Sequence, residues 1–194
     1  MEKQFVFLYP IPQIINWEIE HYGWHEEGGT DAFRKKYKDV LNACIDVRYR
    51  QKDFVINYAI FNDTVVSDVI DLQQKDKIIK VGLDFKTHTT KQPDGEYPYP
   101  DQNYILDQLG EIDILRVAGF HMWDCVEKLA RRAYGRKLDV LVDEDLTEFF
   151  IGRLRDPDFK VDKYPTYSPG KKGEVGYKFF MKARRERPWL WQEY

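Results

Sequence analysis

The residue best placed for chemistry is Cys125, which follows a strand-like run ending at Gly119 and a short turn. In a parallel sheet, ligands bind at the carboxyl ends of the strands. A thiol at the start of a helix feels the positive end of the helix dipole, which lowers its pKa and favours the thiolate. Free backbone N–H groups in such a turn, here from His121 to Cys125, can hold an oxyanion. The pattern indicates a nucleophilic cysteine; a buried, purely structural Cys125 is the alternative, because cysteine is often buried.

Other candidate residues give weaker evidence for a functional site. Cys44 lies on the apolar stripe of a predicted helix, so we interpret it as a core residue. His21 and His25 are four residues apart, as two metal ligands on a helix would be, but no third ligand accompanies them. His121 lies in the Cys125 turn and could serve as a substitute general base or point to solvent. The sequence therefore predicts no metal site and no cofactor.

The elements that position Cys125 are predicted by apolar runs that alternate with helical stripes in the sequence. The runs predict strands and the stripes predict helices. The strands are expected at 4–9, 53–61, 77–81, 112–118 and 138–142, and the helices at 31–50, 102–109 and 123–134. Residues 84–101 hold several prolines and a Pro-Asp-Gly turn, which predicts a lid or a binding loop. The alternation predicts an α/β protein, a three-layer α/β/α sandwich with a mostly parallel sheet.

Composition narrows the class of protein. The chain has 194 residues, of which 43% are hydrophobic, which suits a folded domain and excludes a disordered one. Its formal charge of -3 gives no general attraction to nucleic acid or to anionic membranes. Two distant cysteines do not form a secreted disulfide framework, and neither a signal-peptide pattern nor a transmembrane run is visible. We expect a cytoplasmic protein without a membrane partner.

The C-terminal part differs from the rest. We expect residues 1–152 to form the α/β domain and residues 153–194 to form an arm or a small subdomain. Within 171–194, basic side chains outnumber acidic ones and alternate with aromatic residues such as Trp189 and Trp191. Such mixtures can bind single-stranded nucleic acid. We favour an arm that packs on its own or a neighbouring subunit, because the remainder of the chain is acidic, and we expect a homo-oligomer.

The segment 117–146 resembles the nucleophile turn of the isochorismatase-like cysteine hydrolases, which include nicotinamidases and N-carbamoylsarcosine amidases. In that family a strand leads to Gly-x-x-Thr-x-x-Cys-Val, then to a helix with small residues, then to a strand ending in Asp. The matching residues here are Gly119, Cys125, Val126, Ala130, Ala133 and Asp143, with Met122 at the Thr position. The resemblance implies an isochorismatase-like fold.

The resemblance also implies a catalytic triad. In the family an Asp at the end of the first strand takes the thiol proton, a Lys after a middle strand supports the charges, and the thiolate attacks a carbonyl carbon. The Lys would be Lys80, with Lys86 as the second choice, and the Asp position holds Tyr9. The expected substrate-binding residues are Tyr9, Phe120, Met122 and Trp123.

Three functional hypotheses follow. The first is a cysteine hydrolase of a small amide, with Cys125 as nucleophile and a small molecule as substrate. The second is a non-catalytic relative that serves as a binding or assembly module, which the missing Asp favours. The third, nucleic-acid binding through the C-terminal arm, is the least favoured. The metal-binding Asp and His cluster that nicotinamidases carry is not visible after Phe61.

Overall fold

The sheet is five-stranded and entirely parallel in the part of the chain that the structure describes. In this computed structural model the described residues are 1–164 and 177–192, with only the backbone described for 177–180. The strands are β1 (Lys3–Leu8), β2 (Val55–Ile60), β3 (Lys77–Lys80), β4 (Ile114–Gly119) and β5 (Asp139–Val142), in the order β3-β2-β1-β4-β5. The prediction of a parallel sheet is confirmed.

Helices cover both faces of this sheet. They are α1 (Pro12–Gly23), α2 (Gly29–Arg48), α3 (Phe85–His88), α4 (Gln102–Gln108), α5 (Glu127–Gly135), α6 (Phe150–Arg155) and α7 (Tyr177–Arg185). Side chains alternate along β1, so that Phe5 and Phe7 face one layer whereas Val6 and Leu8 face the other. Because both faces of the central strands are buried, β1 and β2 read as largely apolar runs. The result is the predicted three-layer α/β/α sandwich.

The first layer consists of α1, α2 and α6. Helix α2 buries Phe33, Tyr37, Leu41 and Cys44 on one stripe, as helical spacing predicts. Helix α1 begins with Pro12, which lacks the N–H that a first-turn residue leaves unpaired. Sequence patterns did not predict α1.

The second layer consists of α4 and α5. Helix α5 buries Leu129, Ala130 and Ala133, three of the residues predicted for its stripe. A π-helical turn, Met122–Val126, precedes it. Cys125 therefore lies within a wide turn just before the regular helix.

The described part of the C-terminal region packs on the sheet domain. Helix α6 runs across residue 152 and buries Phe150, Ile151 and Leu154. Trp189 and Leu190 are also buried, and the N–H of Val142 in β5 donates to the carbonyl of Trp189 at 2.9 Å. The division of the chain at residue 152 stays a prediction, and residues 165–176, 193 and 194 of the predicted arm lie outside the described residues.

Candidate functional site

The turn that carries Cys125 depends on Gly119. This residue has φ 109°, and a Cβ built there would lie 2.1 Å from the carbonyl oxygen of Leu8. Only glycine tolerates that conformation and that approach of β4 to the end of β1. The peptide bond between Phe120 and His121 is cis. The close approach of Gly119 to Leu8 places this turn next to the carboxyl end of β1.

Cys125 is buried beside Tyr9 at this end of the sheet. Only 5% of Cys125 and 3% of Tyr9 are exposed. The pKa of the Cys125 thiol is raised to about 12, first by burial and then by the charge of Asp124, against which a hydrogen bond with Tyr9 acts. The pKa of Tyr9 is also raised well above its ordinary value, first by burial and then by Cys125. Both groups are therefore protonated at neutral pH.

An aromatic stack covers the pair. Tyr9 has a left-handed backbone with φ 59°, and its ring stacks on Phe61 at a centroid distance of 4.4 Å. Phe61 stacks in turn on His88 at 5.0 Å, and the Nδ1 of His88 lies 2.7 Å from the carbonyl oxygen of Pro98. His88 and Pro98 belong to the 84–101 segment. This segment thus lies over the carboxyl ends of β1 and β2.

On the α5 side, polar residues complete the cover over Cys125 and Tyr9. The hydroxyl of Tyr99 donates to Asp124 Oδ2 at 3.0 Å. The Nζ of Lys128 forms an ion pair with Asp124 and lies 3.6 Å from the centroid of the Tyr99 ring. Asp124 is the carboxylate whose charge acts on the Cys125 thiol. Its oxygens are occupied by the hydroxyl of Tyr99 and the ammonium of Lys128.

The predicted catalytic lysine binds backbone instead. Lys80 Nζ donates to the carbonyl oxygens of Phe61, Asn62 and Thr64 at 3.3, 3.2 and 2.7 Å. It thereby stabilises the turn after β2. Lys86, the second choice, lies at the start of α3 and is exposed.

The structure separates the other predicted site residues. Met122 lies in one core cluster with Tyr9 and Cys125. Phe120 lies in the opposite layer, where its ring centroid is 5.9 Å from that of Phe7. The side chain of His121 is 59% exposed, and its Nδ1 lies 4.0 Å from Glu148 Oε2. Trp123 is 45% exposed. Tyr9, Met122 and Cys125 are therefore brought together, and the other three are not.

Trp123 borders a separate cavity, which sequence reasoning missed. This β4–β5 cavity has a volume of about 500 Å³ and lies beyond the carboxyl ends of β4 and β5. Its lining includes Tyr22, Trp123, Glu148, Phe149, Arg153 and Arg184. These residues come from α1, the Cys125 turn, α6 with its preceding loop, and α7. No local spacing in the sequence reveals such a group.

Three consecutive acids after β5 pair with arginines, and the last two, Glu144 and Asp145, hold arginines that line this cavity. Arg48 NH1 lies 3.1 Å from both carboxylate oxygens of Asp143 and 3.0 Å from Asp145. Arg184 binds both oxygens of Glu144, at 2.7 and 2.9 Å. Burial works against the charge of Arg48, but the carboxylates of Asp143 and Asp145 outweigh it and raise the pKa of Arg48. The acid that the family resemblance places at Asp143 therefore pairs with a buried arginine.

The described residues contain neither a metal-binding cluster nor a membrane-spanning helix. In residues 1–164 and 177–192, no group of three or more His, Cys, Asp or Glu side chains is arranged to hold a metal ion. None of the helices in these ranges has the length and apolar character needed to cross a membrane.

Comparison with known proteins found a similar solved structure. No protein-family model and no curated protein matches this chain. Among solved structures, the chain is similar to N-carbamoylsarcosine amidase from Thermoplasma acidophilum, with 14% identity and a TM-score of 0.47. The match covers 94% of this chain and 92% of the amidase. At this level of identity, the similarity says nothing about individual residues of the site.

Proposed function

We propose that this chain is a non-catalytic protein of the isochorismatase-like kind, acting as a small-molecule-binding module rather than as a cysteine hydrolase. One observation carries the proposal. The Cys125 thiol is buried against the phenol of Tyr9, at the place where the family chemistry needs a carboxylate.

The protonation of the pair argues against nucleophilic attack. A thiol with a pKa of about 12 is ionised in roughly one molecule in 100,000 at pH 7. A phenol with a raised pKa cannot accept the thiol proton, so Tyr9 cannot act as the general base for Cys125. General acid–base assistance contributes roughly 100- to 10,000-fold to such reactions. Without it, Cys125 would hydrolyse amides too slowly for a dedicated enzyme.

Two of the donors expected to form an oxyanion hole, the N–H groups of Met122 and Asp124, are also engaged. The N–H of Met122 donates to Glu148 Oε2 at 2.7 Å. The N–H groups of Asp124 and Val126 both donate to the carbonyl oxygen of His121, at 3.1 Å. An oxyanion would have to displace these acceptors. The turn therefore stabilises its own conformation instead of presenting these donors to a substrate.

The hydrolase hypothesis is the second candidate, because Cys125 does follow β4 and does adjoin the end of β1. Its substitute base would be His121. The ring of His121 is exposed and lies next to Glu148, whereas the sulfur lies next to Tyr9. This arrangement gives His121 no direct path to the thiol proton.

Amide hydrolysis tests the proposal directly. Nicotinamide and N-carbamoylsarcosine should be incubated with the wild type, with Cys125→Ala and with the matched core variant Cys44→Ala. We expect that ammonia is released from these substrates no faster with any of the three proteins than in buffer alone. Wild-type turnover that Cys125→Ala loses and Cys44→Ala keeps would refute the proposal. Dependence of that turnover on His121 would then identify the base.

A further inference from the structure

We infer that the β4–β5 cavity binds a small aromatic cation, with Glu148 as the group that pairs with the positive charge. This inference rests on the proposed function and names the ligand class. The volume of about 500 Å³ lies within the range of small-molecule sites. The cavity also lies at the carboxyl edge of the sheet, where parallel α/β folds bind ligands.

The aromatic preference follows from the walls. Trp123 and Phe149 line the cavity and are 45% and 41% exposed, although each is large and apolar. Tyr22 and Ile151 add further apolar lining. Aromatic faces of this kind pack against planar rings and attract cations. A flat ligand would cover surface that is now in contact with water.

The sign of the ligand charge follows from the ion pairs around the cavity. Each lining arginine already has an acidic partner. Arg184 pairs with Glu144 at 2.7 Å, Arg155 with Glu26 at 2.6 Å and Arg153 with Asp145 at 2.9 Å. These positive charges are therefore compensated within the protein.

Glu148 differs from the other charged residues that line the cavity. Its Oε2 accepts from the N–H of Met122 at 2.7 Å and lies 4.0 Å from the exposed ring of His121. Among the described residues, no lysine or arginine nitrogen lies within 4.0 Å of it. The carboxylate is thus fixed in position while its charge is left for a ligand. An amidinium or ammonium group is the matching partner.

A second carboxyl group, that of Glu18, responds to the charge of Glu148. The pKa of buried Glu18 is raised to about 8, chiefly by burial and, after the opposing hydrogen bond from Tyr37, by the charge of Glu148. Glu18 therefore senses the Glu148 charge. A bound cation would compensate that charge, whereas a bound anion would add to it.

Gly152 allows the cavity to be closed by substitution. It lines the cavity within α6, and a Cβ built there meets no atom within 4 Å. Gly135, the last residue of α5, has the same open surroundings but does not line this cavity. Gly152→Trp therefore fills the cavity, and Gly135→Trp is its matched control.

Three probes of nearly identical shape separate the charges: benzamidine is cationic, benzamide neutral and benzoate anionic. We expect benzamidine to bind the full-length protein with a dissociation constant on the order of 1 mM, as befits a fragment of this size. Benzamide should bind about tenfold more weakly, and benzoate should not bind measurably. Ligand-observed NMR titration measures all three.

Variants then locate the site. Glu148→Gln keeps an acceptor for the Met122 N–H but removes the charge, so benzamidine should bind about tenfold more weakly and benzamide unchanged. Gly152→Trp should abolish binding of both, whereas Gly135→Trp should leave both intact. Preference for benzoate, absence of benzamidine binding, or binding unaffected by Gly152→Trp would each overturn the inference. Amide turnover at Cys125 would refute the proposed function while leaving these binding results in place, so the two failures are distinguishable.

Discussion

The decisive prediction concerns the ionisation of the Cys125 thiol. With its pKa raised to about 12 from an ordinary value of 9.0, the thiolate of the folded protein is disfavoured by about three pKa units. At about 1.4 kcal/mol per unit, this is on the order of 4 kcal/mol. Alkylation requires the thiolate, so Cys125 in the native protein should react about a thousandfold more slowly than an exposed cysteine at neutral pH.

The assay is iodoacetamide labelling across a pH series, with each cysteine quantified by mass spectrometry. Asp124→Asn removes the charge that raises the thiol pKa, so it should lower the titration midpoint of Cys125. Tyr9→Phe removes the hydrogen bond that lowers this pKa, so it should raise the midpoint. Cys44 is the internal control, because burial raises its pKa to about 12, with Arg48 acting against this shift and Asp143 and Asp145 adding to it.

A titration midpoint for Cys125 below about pH 8 in the wild type would refute this reasoning. It would mean that the turn supplies enough positive potential to ionise a buried thiol. A shift of the Cys44 midpoint in Asp124→Asn would instead point to a general change in the fold. Midpoints that move in opposite directions in Asp124→Asn and Tyr9→Phe would identify the charge and the hydrogen bond as the two opposing influences.

Three further predictions concern stability, each measured by urea unfolding. The folded pKa of Glu18 is raised to about 8, above its unfolded value, so the contribution of Glu18 to the free energy of unfolding is complete below about pH 4.5 and is lost as the pH rises through 8. Glu18→Gln should therefore stabilise the protein at pH 9 and not at pH 4, and equal effects at both pH values would contradict this. Gly119→Ala places a Cβ 2.1 Å from a backbone oxygen and should cost several kcal/mol, whereas Gly135→Ala, with no atom within 4 Å, should be neutral or slightly stabilising; similar effects of the two would count against the close approach. Arg48→Met removes the guanidinium that pairs with the buried Asp143 and Asp145 carboxylates and should cost about 3–5 kcal/mol, so a loss below 1 kcal/mol would show that these groups do not form a charged network.

The parallel sheet was predictable because its strands are buried on both faces. Residues 4–9 and 53–61 read as largely apolar runs, and the structure places strands at Lys3–Leu8 and Val55–Ile60. The stripe of α2 was equally clear, with bounds of 29–48 against the predicted 31–50. Helix α1 was missed because its buried face is narrow: Ile15 and Ile19 are buried whereas Trp17 is 56% exposed.

The site was less predictable, because its properties depend on contacts between distant segments. The sequence placed Cys125 in a turn after β4, but not the Tyr9–Phe61–His88 stack that covers it, since each ring comes from a different element. The run of acids at residues 143–145 after a strand could have suggested buried ion pairs. Its arginine partners, Arg48 and Arg184, lie far away in the chain.

The carboxyl edge of the sheet thus has two halves with opposite character. Over β1 and β2, aromatic stacking and the 84–101 segment cover a protonated thiol. Beyond β4 and β5, exposed aromatic side chains and the Glu148 carboxylate line a cavity. The residues from Gly119 to Cys125 border both halves, because Met122 packs inward beside the thiol while Trp123 faces the cavity. A ligand site beyond β4 and β5 therefore needs no change in fold, since the same turn supports both halves of the edge.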